Sequence, residues 1–98
     1  MIDKIEAIIV QTLSRLNKEW KNPKLSNPDT DTPLFGVKGL LDSHALVVLL
    51  TELEETLSDT FGKTIFLADD RAMSQKFSPF RTVKALAQYV EKLLKEGG

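Results

Sequence analysis

The 98-residue chain contains no cysteine. Disulfides and thiolate metal sites are therefore excluded, and a reducing compartment is permitted. It also lacks an excess of either charge: 13 lysines and arginines face 14 aspartates and glutamates, for a formal net charge of -1. A nucleic-acid binder normally carries a basic stripe, so that class is set aside. Only one histidine is present, which rules out a HExxH-type metal pair, and no glycine-rich phosphate cradle occurs. Long apolar runs are missing too. The longest, Ala45 to Leu50, falls far short of the ~20 residues that span a bilayer.

What is present suits an ordinary globular chain, 42% hydrophobic and 28% charged. That length supports a single domain over residues 1–98 with one modest core. The opening MIDKIEAIIVQTL mixes acidic with apolar residues and offers no small-residue cleavage site, so it reads as an amphipathic helix and not a signal peptide. The expectation is a soluble, cytoplasmic monomer without membrane insertion or bound metal.

Ile2, Ile5, Ile9, Leu13, Leu16 and Trp20 recur at helical spacing, giving a first helix of about five turns. KNPKLSNPDTDTPLFGVKG then carries three prolines and two glycines, and such punctuation predicts a long loop from about Lys21 to Leu41. Leu34, Phe35 and Val37 are expected to pin it to the core. A second helix is predicted over Ser43 to Phe61, with Leu46, Leu49, Leu50, Leu53 and Leu57 on one face. The opposite face collects His44, Val48, Glu52, Glu55 and Asp59. Gly62 stops it. After TIFLA, Asp69 and Asp70 are expected to cap a short helix through Met73. The last helix takes Thr82 or Ser78 as its cap, Pro79 fitting a first helical position in the second case, and turns Val83, Leu86, Val90 and Leu93 inward. The fold class is all-α: a small bundle of three main helices plus one short helix, with a long first loop.

Candidate sites thin out on inspection. Asp29 and Asp31 in PDTDTP suggest a calcium loop, but Pro33 occupies the next ligand position and no glutamate closes the loop. Ser43 beside His44 suggests a hydrolase, yet adjacent helical side chains diverge by ~100°, which places the imidazole badly for taking the serine proton. No catalytic constellation assembles. Taken alone, Asp42-Ser43 is a pair of good helix caps, worth roughly 1 kcal/mol to a free amide.

The surroundings of that pair point further. GLLDS opens a helix containing leucine pairs and LEE, after a long loop that carries TPLFG. Thr82-Val83, Leu86 and Tyr89-Val90 then open and fill the last helix. Over most of residues 2–94 this order and these motifs resemble the acyl carrier proteins, the phosphopantetheine-dependent carrier family. The resemblance implies that Ser43 is the attachment point of a 4′-phosphopantetheine arm delivered from coenzyme A by a phosphopantetheinyl transferase. It implies that Asp42 is read by that transferase, and that the arm's thiol carries acyl cargo as a thioester between acyl-loading and acyl-transfer enzymes. The absent cysteine fits: the working sulfur is imported. The chain would be a group carrier and not an enzyme. In the family the apolar interior can shelter the acyl chain.

The chain also departs from the family pattern. His44 stands where a leucine or methionine usually follows the serine; it either pairs with the arm's phosphate when protonated or is a solvated helix-start residue. Ala45 and Val48 occupy positions where carboxylates are usual, and negative charge is delayed to Glu52, Glu54, Glu55 and Asp59. Partner docking is assigned to His44, Val48, Glu52 and Glu55, with a contact near the arm that is more apolar than usual. The segment 61–82 is longer than its counterpart and carries Lys63, Arg71, Lys76, Arg81, Ile65, Phe66, Leu67 and Phe77. It either thickens the core or forms a lid or docking surface. These features suggest a specialised carrier for fatty-acid, envelope-lipid, polyketide or activated amino-acid chemistry. The competing reading is an unmodified helical adaptor that binds protein partners through its acidic helix face.

Overall fold

A computed structural model of the chain describes residues 2–36, 39–67 and 80–96. Among them are three α-helices and one 3-10 turn, and no strand. Helix α1 spans Ile2–Trp20, the 3-10 turn Pro23–Leu25, α2 Ser43–Phe61 and α3 Val83–Glu96. The all-α bundle expected from periodicity is thus observed. The short helix expected at 69–73, with Val37, Arg71, Lys76, Phe77, Ser78 and Pro79, lies outside the described residues.

Helix α1 is the shared element. It packs against both α2 and α3, while no Cα of α2 comes within 8 Å of one of α3. Its stripe of Ile5, Ile9, Leu13 and Leu16 is buried, as are all five leucines of the α2 face. From α3 come Val83, Leu86, Ala87, Val90 and Leu94; Leu93, expected inward, is only half-buried.

The connections supply the rest of the core. Leu25, Leu34 and Leu41 from the first, and Ile65, Leu67 and Phe80 from the second, are buried in the same cluster. Fully burying a side chain of this kind contributes about 1.5–3 kcal/mol, so the long first loop is a structural layer of the bundle. Its backbone is also spoken for. Leu34 and Phe35 donate to the carbonyls of Arg81 (2.7 Å) and Phe80 (3.1 Å), and the carbonyls of Thr32 and Thr30 accept from Val83 (3.2 Å) and Lys84 (2.9 Å). Those last two bonds satisfy first-turn amides of α3 that have no partner within the helix. Thr82 completes the cap, its Oγ1 accepting from Ala85 N–H at 3.0 Å, which selects Thr82 from the two caps expected. Thr32, buried, is held by Asp29, whose N–H donates to Thr32 Oγ1 at 2.7 Å. Asp29 therefore closes a local turn.

At Gly62 and Gly39 the geometry requires glycine. Gly62 ends α2 at φ 66° and donates to Ser58 O. Gly39 closes a turn onto Gly36 O at 3.0 Å, and a Cβ there would sit 2.5 Å from Phe35 Cα.

Candidate functional site

The start of α2 is defined by Asp42. Its backbone is extended (φ -84°, ψ 178°), and its side chain accepts from Ala45 N–H at 2.8 Å. Its carbonyl takes the first helical bond, from Leu46 N at 2.9 Å. Asp42 is therefore the N-cap, and Ser43 is the first residue of the helix proper. The side chain of Ser43 is exposed, and among the described residues its hydroxyl makes no hydrogen bond. The N–H groups of Ser43 and His44 likewise have no protein acceptor there, as expected of the first amides of a helix. An exposed, uncommitted hydroxyl thus stands beside free backbone donors and the positive end of the helix dipole.

The chain entering this site is held by the Gly36–Gly39 turn, and then by Leu40 N donating to Pro33 O (3.4 Å) and Leu41 N to Leu34 O (2.8 Å). Buried Leu41 anchors it just before the cap. On the other side, the end of α1 is shaped by Lys21 in the left-handed region (φ 53°). Asn17 then clamps Asn22: it accepts from Asn22 N at 2.9 Å and donates to Asn22 O at 3.0 Å. Between these two anchored strands of chain lies a pocket of about 260 Å³. Its apolar lining is Trp20 from α1, Leu25 from the 3-10 turn, and Leu40, Leu41 and Ala45 around the start of α2. Asn22, Asp42 and His44 contribute polar groups. Composition and periodicity gave no sign of this pocket, since its walls combine two helix ends with non-periodic loop residues.

The expected docking face is rearranged in several respects. His44 and Glu55 are exposed as expected. Val48 is not an outward residue: it is half-buried and packed against the core, and Val47 is the exposed valine, at 44%. The five buried leucines set the rotation of α2, and Val48 falls on the flank of that face. Glu52, one turn on from Val48, is bonded to Arg15 of α1 at 3.0 Å, so this flank faces α1. Glu54 is also committed, its Oε2 accepting from Leu67 N at 2.6 Å, and Ser58 Oγ accepts from Ile65 N at 3.1 Å. These two bonds strap segment 62–67 along α2, burying Ile65 and Leu67 and leaving Phe66 68% exposed. Lys63 donates to Leu94 O at 3.1 Å, tying the same segment to the end of α3. The Ile65–Leu67 part of the long second connection therefore thickens the core.

Among the described residues, no cluster of His, Asp or Glu is arranged to hold a metal ion, and no helix is long and apolar enough to cross a membrane. No family model, curated protein or solved structure matches the chain.

Proposed function

We propose that the chain is an acyl carrier protein, bearing a 4′-phosphopantetheine arm on Ser43 and conveying an acyl or related group as a thioester. The observation that carries this reading is the division of labour at the start of α2. Asp42 performs the capping, so the capping role that would account for Ser43 in structural terms is already filled. The serine is left exposed at a helix start, where a second enzyme can reach it.

The modification is a phosphoryl transfer. Ser43 Oγ attacks the pantetheine-bearing phosphorus of the coenzyme A pyrophosphate. The P–O bond to 3′,5′-ADP breaks, and the hydroxyl proton leaves to a base of the transferase. The resulting phosphodiester lies beside the free N–H groups of Ser43 and His44, and the helix dipole contributes about 0.3–1 kcal/mol to an anion there. The arm supplies the thiol that the cysteine-free chain lacks. Chemistry on the cargo belongs to partner enzymes; this chain holds and presents it. Between Gly39 and Gly62 there are five acidic residues and no lysine or arginine. That field steers encounter with basic partners, the transferase among them. Glu55 and Asp59, exposed on α2, are the charges best placed for it, with His44 close to the arm.

Incubation with coenzyme A and a broad-specificity transferase, followed by peptide mass mapping, tests the reading. One phosphopantetheine on the peptide containing Ser43 is expected. Refusal of the arm by the folded protein would assign the chain to the unmodified adaptor class.

A further inference from the structure

The pocket beside the start of α2 has a lining that suits one part of such an arm. Asp42 and His44, the residues on either side of Ser43, both line it. Consecutive Cα atoms are ~3.8 Å apart, so the pocket wall begins within one residue of the attachment oxygen. The first carbons beyond the phosphate are the part of the arm that reaches this space without folding back. In pantetheine those carbons are a methylene and a gem-dimethyl carbon, followed by a hydroxyl-bearing carbon and an amide. Trp20, Leu25, Leu40 and Leu41 present apolar surface of the kind a gem-dimethyl group fills. Asn22 presents a donor: its Oδ1 accepts from Lys24 N at 3.0 Å, while its Nδ2 has no acceptor among the described residues.

The walls are also built to stay open. The Asn17 clamp fixes Asn22, and the bonds of Leu40 and Leu41 to Pro33 and Leu34 fix the opposite side. An apolar recess with a few placed polar groups, formed in advance, is the usual character of a small-molecule site.

We infer that this pocket, between the end of α1, the 3-10 turn and the start of α2, holds the pantoyl portion of the arm carried by Ser43. The inference rests on the carrier reading. Docking there sets the direction in which the arm leaves the protein and keeps its proximal half against the surface. The thiol end, farther along the arm, remains available to partner enzymes.

Trp20 is the only tryptophan and lines the pocket, so its indole reports on this place alone. The experiment compares apo protein with holo protein carrying an arm isotopically labelled in the pantoyl methyl groups. Intact mass first establishes attachment. Isotope-filtered spectra are then expected to show contacts from those methyls to the Trp20 indole and the Leu25 methyls, with a shifted indole N–H relative to apo protein. Holo Leu40→Gln and Ala45→Leu proteins, the first making the lining polar and the second filling it, are expected to lose these contacts several-fold when compared at equal arm occupancy by intact mass. An attached arm with no methyl contacts and an unshifted Trp20 overturns this inference alone. So do contacts made only by the acyl chain of octanoyl-loaded protein. Absence of the arm from Ser43 overturns the carrier reading and this inference together.

Discussion

The carboxylate of Asp42 accepts the backbone N–H of Ala45 at 2.8 Å, across the top of α2. Ser43 lies between the two in sequence and takes no part in the bond. Side chains of both types cap helices, and either one is enough. Here the aspartate does the structural work and the serine is left over, on the outside, with its oxygen unengaged.

Replacement at Ser43 should therefore cost little in stability. Ser43→Ala removes no cap and no hydrogen bond, so urea denaturation should place it within about 0.5 kcal/mol of wild type. A loss of ~1 kcal/mol or more would show that the hydroxyl caps the helix after all.

Asp42 carries two proposed roles that substitution can separate. Asp42→Ala loses the cap and should destabilise the protein by about 1 kcal/mol. Asp42→Asn keeps an acceptor oxygen and the cap but removes the charge. Its stability should stay near wild type while the rate of arm transfer falls as far as in Asp42→Ala. Equal transfer rates for Asp42→Asn and wild type would remove the carboxylate charge from transferase recognition.

Gly39 is constrained by the chain it crosses, because an added Cβ meets the Phe35 Cα, which cannot rotate away as a side-chain tip would. Gly39→Ala should cost about 1–3 kcal/mol through the backbone shift it forces. That shift falls on Leu40 and Leu41, so amide chemical shifts at Asp42 and Ser43 should move as well.

The Asn17 clamp has a comparable role on the other side. Asn17→Ala removes both hydrogen bonds to the half-buried Asn22 and should destabilise the fold by about 1–3 kcal/mol, the cost of leaving such groups unpaired. The loss should appear as faster amide exchange at Asn22 before any change in α2.

Arg15 and Glu52 join α1 to α2 at 3.0 Å with side chains 54% and 37% exposed. An ion pair so wet contributes ~0–1 kcal/mol, so Arg15→Ala should barely alter stability. It does uncover a carboxylate on α2, the helix proposed for docking. Association with a basic partner should speed up in Arg15→Ala and slow down in Glu55→Lys, both effects fading at high salt. Identical rates in the two variants would place partner docking on another face.

Much of the fold was legible because its information is periodic. The stripe from Ile2 to Trp20 and the leucines from Leu46 to Leu57 mark α1 and α2 to their observed ends, and Gly62 supplies the left-handed stop. What could not be read depends on partners distant in sequence. Leu25 and Leu41 sit in a loop without period, yet both are core. Glu54 looks like one more surface charge until Leu67 donates to it from thirteen residues away. Val47 and Val48 differ by one step around the helix, and which is covered depends on how the leucine face of α2 is turned against α1. At the site itself, the pairing of Asp42 with Ser43 was visible, but which one caps depends on where the first helical bond closes. The pocket was invisible, because three separate segments build it.

The measurement that bears most directly on the carrier reading is the intact mass of wild type and Ser43→Ala, side by side, after incubation with coenzyme A and a broad-specificity transferase. Circular dichroism confirms beforehand that both are folded. If Ser43 carries the arm, wild type gains one phosphopantetheine and Ser43→Ala gains none. No gain on folded wild type, or an equal gain on both proteins, would rule out Ser43 as the attachment point.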